Sequence, residues 1–447
     1  MKKIVIAGAG DIGFHLAQML VMEEKDITMI DQDQEVLDYV ATHLDVLTLH
    51  GDAGSLDLLR EAEVDRADLF LAVTTSEKTN LLTAILAKKM GVRQCIARVK
   101  NTEYLADEQR QLFSELGVDS LISPRMLAAR EIERLISHCS FTNVFPFEDG
   151  KMSLVGLTLD YDSDLIGRKL GEIPDFNKNK SMLMIAILRR HRTIIPNGET
   201  RLRANDHIYF ISKEQCIPEV EKLMGKENRD IKSVMIIGDT GLAYETARLL
   251  EKDYAVTLFA NDKKRSKRLA ALLDNTLVIQ GSGSNIDLLE EEGLSRMDAF
   301  IALTDNSEAN IISSLTAKRK GVFKTIAQVE NREYVHLSQN IGVDTLINRK
   351  LIAANNIFRF VRKGQIRAIA SLQGVDAEVI EFEIHRSNRV TRHPLRELHF
   401  PDGALVGGVI RGDESLIPNG DFTMQLDDKV IVFSKPEAIA QVEKMFR

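Results

Sequence analysis

Three glycines near the start of the sequence stand at a spacing that is typical of phosphate binding. Gly8, Gly10 and Gly13 follow the apolar residues 4–6 in G-x-G-x-x-G spacing, and apolar residues then recur at helical spacing over 14–20. A strand, a glycine turn and a helix in this order are the context that the motif needs. Gly8 allows a tight turn, Gly10 lets the backbone approach a pyrophosphate, and Gly13 lets the helix pack closely on the strand. The N–H groups of the helix N-terminus would then face the phosphates.

An acid follows at the distance expected for a ribose ligand. Asp31 ends the apolar run 27–30 and lies 18 residues after Gly13, close to the roughly 20-residue spacing of the acid that binds a ribose hydroxyl. The alternative is that Asp31 caps the next helix. An acid here disfavours a 2′-phosphate, hence NADP, because two negative charges would repel. It does not choose between NAD(H) and ATP or ADP, since all of them carry an adenosine ribose.

Polar residues also stand at the ends of three further predicted strands. Open α/β sheets bind ligands at the carboxyl ends of their strands. Thr74 and Thr75 either contact a ligand or cap the helix near Asn80, and Arg98 either reaches phosphate charge or forms a structural ion pair. The strand-end residues are Gly51 and Asp52 after residues 45–49, Thr74 and Thr75 after residues 69–73, and Arg98 within residues 95–99.

The elements that would position these residues alternate between strand and helix. Helical patterns at 35–42, 56–61 and 80–89 separate the predicted strands, and a sixth strand is predicted at 120–122. This alternation predicts an α/β fold with a doubly wound, Rossmann-like parallel sheet. A further helical pattern at 124–138 either packs on its own domain or crosses to a neighbouring subunit.

From residue 141 onwards the pattern changes to short strands and turns. A helix at 217–224 closes this stretch, which predicts a small α+β module. The charged and polar residues 225–230 are a plausible linker. The predicted strands of the module are 153–159, 182–188, 193–195 and 207–211.

The whole arrangement then repeats. The segment 233–250 reproduces the first strand, turn and helix, with Gly238 at the position of Gly8, and further along the repeat Thr304 stands at the position of Thr74. The small module repeats too, because the Ile-Pro-Asn-Gly of 195–198 returns at 417–420. We therefore predict two copies of a nucleotide-type domain, each followed by a small module. The predicted domains are 1–123, 141–225, 232–348 and 366–447.

The second copy lacks several groups that would bind a nucleotide. A β-carbon at Thr240 would crowd a pyrophosphate, and the loss of the acid at Ala260 removes the ribose ligand. We expect the first copy to bind nucleotide well and the second weakly or not at all. The replacements are Gly10 by Thr240, Gly13 by Ala243, Asp31 by Ala260, Asp52 by Ser282 and Arg98 by Gln328.

Composition excludes several other classes of protein. The 447 residues carry 58 basic and 66 acidic side chains, a net charge of −8, and no long block of one charge, which argues against nucleic-acid binding. Three scattered cysteines without CxxC spacing argue against a disulfide framework or a zinc site and fit a reducing cytoplasm. No apolar run approaches the ~18 residues of a membrane span, and the sequence opens on a strand rather than a signal peptide. We expect any membrane role to come through a partner. The cysteines are Cys95, Cys139 and Cys216.

The sequence offers no acid–base set for a dehydrogenase, which needs a proton donor beside its nicotinamide. Tyr209 and Lys213 have Y-x-x-x-K spacing, but residues 207–212 alternate like a strand, so the two side chains would not share a helix face. His50 could touch a base, although a lone loop histidine is more often solvated. The repeated Asp206 and Asp428 are expected to shape turns, with ligand contact as the lesser alternative.

The glycine turn, Asp31, the altered second copy and the two small modules together resemble one family, the cytoplasmic regulatory subunits of Trk-type potassium uptake systems. Each half resembles an RCK (KTN) unit, in which a nucleotide-binding N-terminal domain precedes a C-terminal RCK domain. The resemblance covers essentially the whole chain, and the tandem duplication is its most specific feature. It implies that the nucleotide-contact positions are Gly8, Ala9, Gly10, Asp11, Ile12, Gly13, Asp31, Thr74, Thr75 and Arg98, with Gly51 and Asp52 in the loop on the adenine side.

The resemblance also implies a regulatory, non-enzymatic function. Members respond to NAD(H) or to ATP and ADP, and assemble as rings of RCK units beneath an integral-membrane potassium-translocating subunit (TrkH/TrkG-like). A homotetramer would supply an eight-unit ring, peripheral at the inner face of the cell membrane, whose ligand-dependent shape opens or closes the ion path. Two rivals are a soluble NAD-dependent oxidoreductase and a nucleotide sensor for a different ion transporter.

Overall fold

The computed structural model describes residues 2–21, 25–173, 181–190, 192–226, 229–331, 334, 342–361, 366–371 and 377–446. The chain divides into two compact units. The first comprises Met1–Arg130 together with Asn348–Val361, and the second comprises Glu131–Ile347 and Arg362–Arg447. A segment from the second half of the sequence therefore completes the unit that contains the first nucleotide-type domain. Residues 227 and 228 of the predicted linker lie outside the described residues.

The first unit is built on a parallel sheet with the strand order β3-β2-β1-β4-β5-β6. Residues 4–7 of β1 are fully buried, as expected for a strand covered by helices on both faces. The order reverses between β1 and β4, and a crevice for ligands opens at their carboxyl ends. The strands are β1 (Lys3–Ala7), β2 (Asp26–Asp31), β3 (Leu47–His50), β4 (Leu69–Ala72), β5 (Gln94–Arg98) and β6 (Ser120–Ile122). The helices are α1 (Asp11–Val21), α2 (Gln34–His43), α3 (Leu56–Glu61), α4 (Glu77–Met90), α5 (Asp107–Glu115) and α6 (Pro124–Ser137).

Helix α6 leaves the first unit partway along its length. The division between the units falls at Glu131, and beyond it Ser137 Oγ lies 3.3 Å from Tyr254 Oη of the second nucleotide-type domain. The second half of α6 thus lies with the second repeat of the same chain. The alternative that the helix packs on its own domain is thus confirmed for residues 124–130, which belong to the first unit, and the alternative of a neighbouring subunit stays a prediction.

The first small module is an antiparallel sheet with the order β10-β9-β11-β8-β7. Its edge strand contains Pro146, which pairs with Ser153. Proline is compatible with an edge strand because only one side of that strand must donate hydrogen bonds. The elements are β7 (Asn143–Phe147), β8 (Met152–Thr158), β9 (Met182–Arg189), β10 (Arg192–Ile194), β11 (His207–Lys213) and α7 (Ile217–Leu223).

The second repeat reproduces both sheets. Its parallel sheet has the order β14-β13-β12-β15-β16-β17, equivalent strand for strand to the first. The strands are β12 (Ser233–Ile237), β13 (Ala255–Ala260), β14 (Thr276–Gln280), β15 (Ala299–Ala302), β16 (Lys324–Gln328) and β17 (Thr345–Ile347). The helices are α8 (Gly241–Leu250), α9 (Lys263–Leu272), α10 (Ile286–Glu291), α11 (Ser307–Arg319) and α12 (Arg349–Val361), the last of which belongs to the first unit.

The second small module packs against the first through their sheets. Its order, β18-β19-β22-β20-β21, matches that of the first module. One buried cluster joins Ile185 and Tyr209 of the first module to Val379, Ile431 and Phe433 of the second, so the two modules share a core. The elements are β18 (Ile366–Ser371), β19 (Glu378–Glu383), α13 (Arg389–Arg392), β20 (Ala404–Arg411), β21 (Glu414–Leu416), β22 (Lys429–Ser434) and α14 (Pro436–Phe446).

The predicted α/β fold class and the two Rossmann-like parallel sheets, each followed by a small module, are confirmed. In the described part of the first repeat, one strand and one helix were missed. Strand β7 carries a proline, which argues against a strand in sequence, and α5 contains no buried residue that would mark an apolar face. Helix α4 begins at Glu77, three residues before the predicted start, because Ser76 rather than an apolar residue sets its first turn.

Candidate nucleotide-binding site

A cavity of about 590 Å³ lies in the crevice of the first unit. Its wall combines the glycine turn after β1 with the ends of β2, β4 and β5. Ten of the twelve residues that the sequence indicated line this cavity, whereas Ala9 and Gly13 do not. The ten are Gly8, Gly10, Asp11, Ile12, Asp31, Gly51, Asp52, Thr74, Thr75 and Arg98.

Each glycine of the motif meets a different constraint. Gly8 has a φ of +109°, and a Cβ there would lie 2.8 Å from the backbone nitrogen of Thr74. A Cβ at Gly13 would lie 1.9 Å from the carbonyl oxygen of Gly8, so Gly13 allows the close approach of α1 to the turn. A Cβ at Gly10 would meet no protein atom within 4 Å. Because Gly10 lines the cavity, its missing side chain leaves the cavity open there and is not required by the packing of the protein.

Asp31 joins the end of β2 to the glycine turn. Its carboxylate accepts hydrogen bonds from the Ala9 nitrogen at 2.6 Å and from the Asp33 nitrogen at 3.0 Å. The alternative role as helix cap is wrong, since Asp33 caps α2 by accepting from the nitrogens of Glu35 and Val36. Asp31 is therefore an acid on the cavity wall, next to the glycine turn.

The two threonines after β4 have different surroundings. The Thr74 hydroxyl donates to Asn80 Oδ1 at 2.7 Å, and Asn80 Nδ2 donates to the carbonyls of Thr74 and Arg98. This buried asparagine thus holds the ends of β4 and β5 together. Ser76, not either threonine, caps α4, so the cap alternative for Thr74 and Thr75 is also wrong.

Positive charge gathers on one side of the cavity. Arg98 Nη1 lies 3.4 Å and 3.5 Å from the carbonyls of Val73 and Thr74, and its buried Nε has no hydrogen-bond partner among the described residues. Burial, with Arg349 and Arg125 nearby, lowers the pKa of Arg98. An anion between these guanidinium groups would relieve their mutual repulsion and supply the missing acceptor. We therefore favour phosphate contact over a structural ion pair for Arg98.

Sequence reasoning missed part of this cationic wall. Arg125 follows β6, and Arg349 and Lys350 begin α12; all three line the cavity. No local pattern points to α12, which follows the second nucleotide-type domain in sequence. The signal that was available is the repeat itself, because β6 and β17 are equivalent strands and Arg125 and Lys350 each stand three residues after their strand's end.

The second crevice keeps the turn but places its acidic side chains at different positions. Gly238 has a φ of +127°, like Gly8. The Thr240 hydroxyl, however, accepts from the Ala243 nitrogen and donates to the Leu303 carbonyl. The Ala243 N–H at the start of the helix is therefore already hydrogen-bonded. When the two repeats are aligned, three acids take the places of uncharged or basic residues of the first crevice. They are Asp239 for Ala9, Asp305 for Thr75 and Glu330 for Lys100.

The other residues that the sequence analysis named contact other groups of the protein. Tyr209 and Lys213 lie on strand β11, as expected, and Tyr209 is fully buried with a raised pKa caused by burial. The His50 ring is exposed and lies 3.0 Å from the Gln32 carbonyl. Asp206 accepts from Nε and Nη2 of Arg189, both at 2.7 Å, and from the Arg203 nitrogen. It shapes the turn, as predicted, and the buried ion pair is an addition that the sequence analysis missed.

Asp428 repeats this pair with Arg411, at 2.8 Å from both Nε and Nη2. The three cysteines are buried free thiols. Over the described residues, no cluster of histidine, cysteine and acidic side chains is suited to a metal ion. The helices of the described part of the chain include none that is both long and apolar enough to cross a membrane.

The fold defines a tandem protein with two Rossmann-like domains and two small antiparallel modules. In its first crevice the glycine turn meets Asp31 and a cationic wall. Sequence models of two domain families match both halves of the chain. The TrkA-N domain matches residues 4–124 and 234–349, and the TrkA-C domain matches residues 154–225 and 379–447.

Relatives that match over their full length are named TrkA, like the two domain families. The chain is 34% identical over 448 residues to a Trk system potassium uptake protein TrkA homolog of Archaeoglobus fulgidus, with 100% of both chains covered. It is also 34% identical to the Trk system potassium uptake protein TrkA of Halomonas elongata, covering 100% of this chain and 98% of the relative. The chain therefore belongs to the TrkA family of Trk potassium uptake proteins.

A solved structure confirms the fold at low sequence identity. The GsuK channel bound to NAD superposes with a TM-score of 0.62 at 15% identity, covering 100% of this chain and 79% of that chain. The tandem arrangement of domains is thus shared with a channel protein.

Proposed function

We propose that this protein is the nucleotide-sensing regulatory subunit of a Trk-type potassium uptake system, and that it is not an enzyme. The observation that carries the proposal is the first crevice, where a glycine turn, Asp31 and the Arg98 cluster meet in one cavity. Membership of the TrkA family supplies the potassium uptake system. The site has donors, an acid and cations for binding.

The proposed ligand is NAD(H) or ATP/ADP. The pyrophosphate would lie on the turn from Gly8 to Gly13 at the N-terminus of α1, where N–H groups and the helix dipole favour negative charge. Asp31 would accept a hydrogen bond from the adenosine ribose, with Gly51 and Asp52 on the adenine side. Thr74, Thr75 and Arg98 would complete the site. GsuK has been solved with NAD, which supports a dinucleotide in this fold.

The second crevice is proposed to bind nucleotide weakly or not at all. Thr240 takes a donor at the start of α8, Ala260 offers no ribose acceptor, and Gln328 replaces the arginine. Asp239 is paired with Arg265, whose Nη1 lies 2.9 Å from its carboxylate, so this arginine is already engaged by an internal anion. One nucleotide per chain is the expected stoichiometry.

The assembly is proposed from the family. Four chains would form a ring of eight RCK units beneath a TrkH/TrkG-like membrane subunit, peripheral to the inner face of the cell membrane. The proposed domains are 1–123, 141–225, 232–348 and 366–447. A nucleotide shifts such a ring between conformations only if it binds them with different affinity.

The first test is calorimetric titration of the full chain with NAD, NADH, ATP and ADP. We expect one or more of them to bind at about one site per chain. Asp31→Asn keeps an acceptor for the Ala9 nitrogen but removes the charge, and should weaken binding about tenfold, equivalent to about 1.4 kcal/mol. The matched control is Asp239→Asn, the same change at the acid of the second crevice, which should leave the affinity unchanged.

The second test links binding to transport. The protein is reconstituted with its membrane partner in vesicles, and potassium flux is measured with and without the nucleotide that binds. A nucleotide-dependent flux that Asp31→Asn shifts to higher nucleotide concentration supports the proposal. If none of the four nucleotides binds, or if a bound nucleotide leaves flux unchanged, the proposal is wrong.

A further inference from the structure

An acid stands at the point where a phosphate is proposed to bind. Asp11 is the first residue of α1 and lines the cavity beside Gly10. Its carboxylate oxygen lies 2.5 Å from Nζ of Lys350, the second residue of α12. The Asp11 side chain is 69% exposed and that of Lys350 is 28% exposed. The pair therefore sits at the mouth of the crevice, with the lysine as its more buried member.

Asp11 has opposite effects on the helix and on a ligand. A carboxylate in the first turn is favourable for α1, because it faces the positive end of the helix dipole. The same carboxylate repels a phosphate group that uses that helix end. In the second repeat Gly241 takes the position of Asp11 when the repeats are aligned, and the acid of that turn is Asp239 instead.

Lys350 is held in place by its own helix start. Asn348 Oδ1 accepts from the nitrogens of Lys350 and Leu351 at 3.0 Å and 3.1 Å, as an N-cap does. Helix α12 packs on α1 within the first unit, and its residues Ala353, Ala354 and Ile357 are buried. The position of the ammonium group at Asp11 thus depends on the docking of a helix that follows the second nucleotide-type domain in sequence.

We propose that Lys350 is a positioning residue for the nucleotide phosphates, because it pairs with Asp11 and removes the repulsion that this acid would exert at the start of α1. This inference rests on the proposed nucleotide site. It makes the affinity of the first crevice depend on the docking of α12. By thermodynamic linkage, a bound nucleotide favours the docked helix by the same factor. The structural element through which the nucleotide acts on the second half of the chain is then α12.

The charge of the ligand sets the size of the effect. Repulsion by an unpaired carboxylate grows with the charge on the phosphates, so ATP should depend on Lys350 more than ADP, and ADP more than NAD. Screening by salt reduces the interaction of partly exposed charges. The dependence on Lys350 should accordingly be larger at low salt than at high salt.

The test is a double-mutant cycle read by calorimetry in the full-length protein, with NAD, ADP and ATP as probes. Lys350→Met keeps the length of the side chain and removes its charge; we expect about tenfold weaker binding of the nucleotide that the wild type binds. Asp11→Asn alone removes the repulsion and leaves Lys350 to attract the phosphates, so it should tighten binding. The double variant should recover to within about threefold of the wild type, a rescue that a merely structural role for Lys350 would not give.

The matched control is another lysine–aspartate pair of the first unit. Lys88 Nζ lies 2.8 Å from Asp119, and neither residue lines the cavity, so Lys88→Met should bind nucleotide like the wild type. Amide hydrogen exchange over residues 349–358 provides a second measurement: nucleotide should slow it in the wild type and less so in Lys350→Met.

Each outcome bears on a separate claim. If the wild type binds and Lys350→Met binds equally well, or if Asp11→Asn fails to rescue Lys350→Met, the inference about Lys350 is wrong while the nucleotide site stands. If the wild type binds no nucleotide, the proposed site itself is wrong.

Discussion

Replacement of Gly10 by threonine separates the needs of the fold from those of the ligand. The second repeat already carries this residue as Thr240, whose hydroxyl caps α8 by accepting from the Ala243 nitrogen at 3.2 Å. In the first repeat a Cβ at position 10 meets no protein atom within 4 Å. Gly10→Thr is therefore expected to fold normally. Threonine and glycine differ as N-caps by only a few tenths of a kcal/mol.

The same substitution should abolish most nucleotide binding. The threonine hydroxyl would take the Gly13 nitrogen, one of the donors at the start of α1, and its methyl group would enter the cavity. A hydrogen bond to a charged group contributes about 1.5–3 kcal/mol. The loss of that bond together with the steric conflict should weaken binding by about 2.7 kcal/mol, or about 100-fold.

Gly13→Ala is the matched comparison, because it adds one carbon at the other end of the same motif. That carbon would lie 1.9 Å from the Gly8 carbonyl oxygen, so the turn must move away from α1. We expect a loss of stability of about 2 kcal/mol, in the range of overpacked cores. Chemical denaturation measures the stability of each variant, and calorimetry measures its nucleotide affinity. The reasoning is refuted if the Gly10→Thr variant binds nucleotide within threefold of the wild type. It is also refuted if that variant is as unstable as Gly13→Ala.

Two further predictions concern buried charge in the second unit. Lys324 is fully buried and donates to the Phe141 carbonyl, and burial lowers its pKa from 10.5 to about 8. Below pH 8 the buried ammonium therefore lowers the free energy of unfolding. This loss of stability is relieved as the pH rises from 8 to 10.5, because the unfolded chain then holds more protons than the folded one. Lys324→Gln, the residue that the first repeat has at Gln94, should therefore stabilise the protein by about 2 kcal/mol at pH 7, and denaturation curves at pH 7 and pH 10.5 should show the gain disappear at the higher pH. Asp206→Ala leaves Arg189 without its buried partner and should destabilise the protein by about 3 kcal/mol. The double variant with Arg189→Met should lose less stability. Equal losses of stability in the single and double variants would show that the unpaired arginine is not the cause.

The sequence predicted the fold well where residues report on their own neighbourhood. The apolar run 4–6, the glycine spacing and the polar strand ends located the crevice, because parallel strands bring their carboxyl ends to one edge. The repeat then fixed the architecture of the second half. Strand β7 and helix α5 were not predicted because neither shows a periodic apolar face.

The far wall of the site was not predictable in the same way. Arg349 and Lys350 reach the cavity on a helix that follows the second nucleotide-type domain, and no local pattern in a sequence indicates which distant helix will pack on α1. The roles of Asp31 and Thr74 also needed coordinates. Each stands beside a better helix cap, Asp33 and Ser76, and the choice between neighbouring polar residues depends on backbone angles that composition does not specify.

The two repeats show how a binding site can be lost while its fold is kept. In the first repeat Asp31, at the end of β2, accepts from the nitrogen of Ala9 in the glycine turn. In the second repeat the acid is on the other side: Asp239, at the position of Ala9, accepts from the Asp262 nitrogen after β13 at 3.1 Å. The strand end is joined to the turn in both cases.

The direction of this bond matters for a phosphate and not for the fold. An acid on the strand end can also face a ribose. An acid in the turn places a negative charge beside the helix start where phosphate would lie, and Arg265 neutralises it internally. Both arrangements satisfy the fold, whereas the proposed nucleotide site uses the first. The asymmetry of the repeats is therefore itself an argument that the first crevice is kept for a ligand.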